Sequence, residues 1–132
     1  MTLKVSIVTP DRSVLAGEYQ EVLAPSVLGE VGILPMHRPL LADLKAGEVV
    51  LKSGTTAERM VVTGGFLELA DNAVTILAES AQWVHDIDVG NVKAELAEAE
   101  ANLSNLDAND PVYAYHQAII GKAQARLQAV GK

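Results

Sequence analysis

Cysteine is absent from the 132 residues, which excludes disulfides, thiol nucleophiles and thiolate metal sites. Aromatic residues are nearly as scarce: Tyr19, Phe66, Trp83, Tyr113 and Tyr115 are the whole set, so the core of a chain that is 49% hydrophobic must be mostly aliphatic. No apolar run approaches the ~20 residues that span a bilayer. The opening Met1-Thr2-Leu3-Lys4-Val5 goes straight into alternation without the layout of a signal peptide, and a soluble, cytosolic protein is the expectation. Positive charge is also short. Ten basic against seventeen acidic residues give a net charge of −7, the wrong sign for binding nucleic acid or anionic lipid. The imbalance is local: Asp86 to Asp110 holds seven acids and only Lys93 as a base, whereas Pro111 to Lys132 holds Lys122, Arg126 and Lys132 and no acid.

Motifs for catalysis are missing too. Ser13, Ser26, Ser53, Ser80 and Ser104 lack a Gly-x-Ser-x-Gly context, and His37, His85 and His116 lie far apart without metal-ligand spacing. Gly29-x-x-Gly32 and Gly64-Gly65 fall short of both phosphate-cradling motifs and are explained by turns and close backbone approach. Trp83, beside His85, is expected to pack at the junction between two halves of different period.

Up to about Trp83 that period is two. Leu3 to Ile7 alternates, Thr9-Pro10-Asp11-Arg12 signals a turn, and Ser13 to Ala16 resumes. Glu21 to Ala24, Glu48 to Lys52 and Arg59 to Thr63 repeat the pattern, the last stopping at Gly64-Gly65; Phe66 to Leu69, Asp71-Asn72 and Ala73 to Leu77 then predict a hairpin. Short strands and frequent turn signals predict an antiparallel sandwich or barrel rather than a parallel sheet. Beyond Trp83 the period becomes helical. Val92, Leu96, Ala99, Leu103 and Leu106 form one apolar face, and Val112, His116 or Tyr115, Ile119, Ala123, Leu127 and Val130 form another. Asn109-Asp110-Pro111 supplies a cap and a first-turn proline between them, which predicts two antiparallel helices. Their alanine-rich seam buries little area, so the hairpin is expected to open or re-dock readily.

Gly29 to Pro39, Gly-Glu-Val-Gly-Ile-Leu-Pro-Met-His-Arg-Pro, interrupts this strand-like sequence with two glycines and two prolines. It reads either as a connector whose apolar residues fill a core, or as a shaped loop that presents Glu30, His37 and Arg38 to a partner.

Residues Glu30 to Leu40 resemble the signature loop of the epsilon subunit of bacterial F-type ATP synthases, Gly-Glu-hydrophobic-Gly-Ile-Leu-Pro-x-His-x-Pro-Leu. Val8 to Arg12, Gly64 to Leu69, Asn72-x-Val74-Thr75-Ile76-Leu77-Ala78 and the Asp86-Ile87-Asp88 opening of the helices resemble the same family in the same order. The resemblance implies an α+β protein: an antiparallel β-sandwich of ten strands over residues 1–84 that binds the rotor, then a two-helix regulatory hairpin over 85–132. It implies no catalysis, a peripheral position on the cytoplasmic face of the bacterial inner membrane without direct membrane insertion, and the gamma subunit and c-ring as partners. The expected contact loop is Glu30, supported by Val31 and Ile33, with His37, Arg38 and Pro39. Lys122 and Arg126 are expected to meet the alpha/beta catalytic head when the hairpin extends and restrains ATP hydrolysis. Some relatives in that family bind ATP through Ile/Leu-Asp-x-x-Arg-Ala. Here Ile87 and Asp88 match and Arg126 keeps its charge, but Asn91-Val92 replace Arg-Ala and Glu98 stands where a base is common, so weak or absent ATP binding and no cofactor are expected. The alternative is a small ATP-sensing domain whose hairpin closes on nucleotide.

Overall fold

The computed structural model describes residues 1–131; Lys132, counted above among the bases of the last segment, lies outside the described residues. The chain divides into a β unit, Met1–Trp83, and a helical unit beginning at Val84.

The β unit holds eight strands among the described residues: β1 Leu3–Val8, β2 Ser13–Tyr19, β3 Glu21–Ser26, β4 Gly29–Ile33, β5 Leu40–Ser53, β6 Thr56–Ala70, β7 Ala73–Ala78 and β8 Ala81–Trp83. They hydrogen-bond in the order β2-β1-β7-β6-β5-β3-β4, with β8 on β6. All pairs are antiparallel except β1 with β7, which run parallel from Lys4↔Ala73 to Val8↔Leu77. That one pair departs from the wholly antiparallel expectation. Most of the β unit intervenes between the two strands, so no short crossover is needed to align them.

Strands β5 and β6 make the sandwich. They pair in one register from Leu40↔Leu69 to Ser53↔Thr56, skipping only Lys45 and Gly64, yet the residues they turn inward change phase along the way. On β6 the core side chains are Met60 and Val62, then Leu67 and Leu69; on β5 they are Leu44, then Val49 and Leu51. A strand keeps one parity on one face, so each must bend where the parity changes, at Gly64-Gly65 and around Gly47. The half of β6 beyond the bend pairs with β7 (65–70) and the half before it pairs with β8 (60–62). Counting both halves of β5 and β6 turns eight strands into the ten strand segments of the expected sandwich, five in each layer. The sequence pattern reads Gly64-Gly65 as the end of a strand, whereas the chain continues through it as a kink. Gly65 has φ +134°, and a Cβ there would land on the Leu77 carbonyl oxygen. A Cβ on Gly47 would come within 2.8 Å of Pro25 Cβ, so the close approach of β3 at this point requires glycine.

The two layers enclose an aliphatic core that includes Leu3, Ile7, Val22, Ile33, Leu51, Met60, Leu67 and Ile76. Trp83 packs on its margin. At the kink Thr63, a buried polar residue, is satisfied by Ser80: its N–H donates to the Ser80 carbonyl (3.2 Å), and the two hydroxyls lie 2.6 Å apart.

In the helical unit a 3₁₀ turn at Val84–Asp86 leads to α1 Val89–Ser104 and α2 Pro111–Val130. Asp88 caps α1 by accepting from Asn91 N–H (3.1 Å), and Asp110 caps α2 by accepting from Val112 N–H (2.9 Å) with Pro111 in the first turn. Val92 and Ala99 of α1 and Ala123 of α2 are buried, as their spacing predicts. Val112 and Tyr115 are not: both are exposed, and Tyr113 is partly buried instead. Tyr113 and His116, three residues apart, share the partly buried face with Ile120 and Ala123.

Gly65→Ala is expected to cost at least ~3 kcal/mol in urea unfolding, because it combines a forbidden φ with a backbone clash. Gly54→Asn, at φ +62° with open space around it, should cost less than ~1 kcal/mol.

Candidate functional site

The segment from Gly29 to Pro39 is half strand and half turn. Its first five residues are β4, paired with β3 from Ser26↔Gly29 to Val22↔Ile33, and β4 ends the sheet order, so it is an edge strand. Alternation sorts its side chains. Val31 is half-buried against the core and Ile33 is fully buried, whereas Glu30 and Gly32 are exposed. Ile33, expected to support Glu30, is an anchor behind the strand with no part of it reaching solvent. Glu30 stands opposite Pro25, which has no N–H to offer, and is open to a partner.

The remaining residues form a rigid turn. His37 N–H donates to the Leu34 carbonyl (3.2 Å), with Pro35 second and Met36 third at φ +70°, which is a type II turn. A methionine at that position is costly and needs support. Asn72 supplies it: Met36 N–H donates to Asn72 Oδ1 at 2.6 Å, and Asn72 Nδ2 lies 3.4 Å from Met36 Sδ. Asn72 is itself at φ +61° beside Asp71 at φ +52°, the two central residues of the tight β6–β7 hairpin, and its carbonyl accepts from Lys4 N–H. One asparagine thus ties the loop to the hairpin and to β1. His37, Arg38 and Pro39 follow, all exposed, with His37 Nδ1 2.7 Å from the Arg38 carbonyl. The loop therefore presents Glu30, His37, Arg38 and Pro39 while burying Ile33. Sequence reasoning misses the β3–β4 tip, where Leu28 is 96% exposed; an apolar pair, Val27-Leu28, just before Gly29 is the signal that marks it.

The second candidate region lies between the helices. A groove of about 390 Å³ is lined by Glu95, Glu98, Tyr115, His116, Lys122 and Arg126, among others. Arg126 Nη1 stands 3.9 Å from Glu95 Oε2, a long and solvated ion pair. Lys122 and Arg126 do come together, but two carboxylates share their groove. Asp88 holds its two oxygens on Asn91, one to the backbone N–H and one to the side-chain amide (3.2 Å), and Ile87 is buried. The Asn91 that replaces an arginine is thus part of a cap. Among the described residues no three His, Asp or Glu side chains converge as a metal site, and no helix is long and apolar enough to cross a membrane.

Residues 2–84 match the family described as ATP synthase, Delta/Epsilon chain, beta-sandwich domain. The chain is 39% identical over 130 residues to the ATP synthase epsilon chain of Geobacter metallireducens, covering 98% of this chain and 94% of that one. Its fold superposes on a chain of the mitochondrial ATP synthase of Euglena gracilis with a TM-score of 0.85, at 21% identity and covering 99% of this chain and 82% of that one. For a central-stalk/c-ring chain of the Tetrahymena thermophila mitochondrial enzyme the TM-score is 0.69, at 19% identity and covering 98% and 97%. These two likenesses concern the fold alone.

Asn72→Ala should cost ~2 kcal/mol in denaturant unfolding, from the lost Met36 bond and the positive φ together. Asn72→Gly keeps the backbone freedom and should recover about half of that loss.

Proposed function

Because the chain belongs to the ATP synthase delta/epsilon family, whose epsilon chains are non-catalytic subunits of the complex, we propose that it is a rotor subunit in the central stalk of a proton-translocating F-type ATP synthase. Its partners in this reading are the gamma subunit and the c-ring, and its place is the cytoplasmic face of the bacterial inner membrane. The observation that carries the reading is the match across nearly the whole length of an epsilon chain, sandwich and hairpin included.

The geometry supports a division of labour. The β unit holds the rotor, with Glu30 on an edge strand as the polar contact to the c-ring and Val31 bracing it. His37, Arg38 and Pro39, fixed by the Met36–Asn72 clamp, shape the same surface or face gamma. The helical unit regulates: when it extends, Lys122 and Arg126 meet acidic segments of the catalytic head and restrain ATP hydrolysis. Such a switch must be easy to bias, since moving it from 1:99 to 99:1 takes about 5.5 kcal/mol of differential binding. A seam whose buried members are mostly alanines, Ala99, Ala123 and Ala129 beside Val92, with the Arg126–Glu95 ion pair long and solvated, leaves the folded hairpin within that range.

The alternative, a hairpin that closes on ATP, gains little from the groove. Glu95 and Glu98 balance Lys122 and Arg126, so a triphosphate would meet no net positive charge. Calorimetry at millimolar ATP should show no binding; a micromolar dissociation constant would establish the nucleotide-sensing reading instead.

Glu30→Lys should lower ATP-driven proton pumping by the assembled enzyme while leaving hydrolysis by the catalytic head intact and stability within ~0.5 kcal/mol of wild type. Deleting residues 88–132 should raise ATP hydrolysis; an unchanged rate under all nucleotide and salt conditions would remove the inhibitory role and leave the coupling role standing.

A further inference from the structure

With no cysteine in the sequence, its three methionines carry all of its sulfur chemistry. Met60 is fully buried in the core, whereas Met1 is 84% and Met36 70% exposed, so a dissolved oxidant reaches two of the three. The Met36 sulfur is also held by the fold: Asn72 Nδ2 donates to Met36 Sδ at 3.4 Å, while Oδ1 of the same amide accepts the Met36 N–H at 2.6 Å. The N–H needs an acceptor, which fixes Oδ1 on its side and leaves the NH₂ facing sulfur. Because an amide is a rigid plane, the two contacts move together.

That pair of contacts keeps a strained backbone in place. Met36 stands at φ +70°, in the left-handed region that a residue with a side chain occupies only with support. Asn72 has a fixed base of its own, at φ +61° with its carbonyl accepting from Lys4 N–H (3.0 Å), so a disturbance at the sulfur falls on the amide and on Met36. A hydroperoxide supplies such a disturbance. A sulfur lone pair attacks one peroxide oxygen, the S–O bond forms as the O–O bond breaks, and the proton on the attacked oxygen passes to the departing one, which with hydrogen peroxide leaves as water; sulfur is oxidised by two electrons and the peroxide reduced. If the lone pair facing Nδ2 reacts, the added oxygen has no room in a 3.4 Å contact and pushes the amide away. If the outer one reacts, the sulfur becomes electron-poor and stops accepting. Both epimers cost the clamp its sulfur contact and free the amide plane that holds the Met36 N–H.

We propose that Met36 is a reversible oxidation site, and that Asn72 converts oxidation of its sulfur into loosening of the turn that presents His37 and Arg38. Thiol-dependent methionine sulfoxide reductases, one for each epimer, restore the thioether. The site goes beyond the rotor reading and is independent of it, since every readout is taken on the full-length chain by itself. The folded chain is treated with hydrogen peroxide, the added oxygen is located by peptide mass spectrometry, and amide hydrogen exchange at Met36 and His37 is followed by NMR before and after. The expected result is oxidation of Met36 and Met1 with Met60 intact, and exchange about five-fold faster at Met36 and His37, as the loss of one hydrogen bond predicts. Two variants isolate the cause, and circular dichroism establishes that each folds. Met36→Leu keeps Met1, and its exchange should not respond to peroxide. Asn72→Asp keeps an acceptor for the Met36 N–H and a residue that tolerates positive φ but has no donor for sulfur, so its Met36 should oxidise without altering exchange. Oxidation of Met60 ahead of Met36, or a wild-type Met36 sulfoxide whose turn exchanges at the unmodified rate or more slowly, would overturn the proposal. An equal response in Asn72→Asp would overturn it too, because something other than the amide would then be sensing the sulfur.

Discussion

The β unit depends on one ribbon. β5 and β6 pair with each other in one register, broken only at Lys45 and Gly64, yet each changes which parity faces the core midway, and that change makes two layers out of one continuous sheet. Everything else is attached to one half of the ribbon or the other: β7, β1 and β2 beyond the kink, and β8, β3 and β4 before it. The bend is possible because Gly65 accepts a φ closed to other residues and Gly47 lets Pro25 approach. Thr63 and Ser80 close the polar gap that the bend opens, so the kink costs no unpaired buried group.

From this scaffold the candidate surfaces follow. β4 lies at the sheet edge because it pairs only with β3, and this exposes Glu30 while Ile33 is held in the core. The adjoining turn keeps its shape because Asn72, already in a left-handed conformation, has an amide oxygen free to take the Met36 N–H.

Much of this was legible in the residues. The Thr9–Arg12 turn, the Asp71-Asn72 hairpin, the strands flanking them and the cap of α2 follow from local chemistry, where a side chain or a proline acts on its own neighbours. What escaped reading depends on distant partners. Gly64-Gly65 resembles a break because period-two patterning does stop there, and only pairing with β5 shows the strand continuing. β4 resembles a loop because an edge strand with two glycines has little pattern to show. β8 has three residues and owes its existence to β6. Met36 gives no local hint of a positive φ, since the asparagine that holds it lies 36 residues away. At the helices, Val112 and Tyr115 fit an apolar period, and only the packing of α1 on α2 shows that Tyr113 and His116 take the inner face instead. The charge asymmetry was visible in the composition; that the acids and bases share one groove, and nearly cancel there, required the packing of α1 on α2.

The single parallel pair has a consequence for how the protein is made. β1 can close its hairpin with β2 as soon as both leave the ribosome, but its other edge must wait for β7, ~70 residues later in synthesis. Until then that edge of β1 is an unpaired template, its inward residues Leu3, Val5 and Ile7 have no layer to cover them, and the cost of closing so long a loop falls on the last strands to arrive. The sandwich therefore has a late step in which the two ends of the β unit find each other. Its folding rate is governed by that closure rather than by the hairpins that form first.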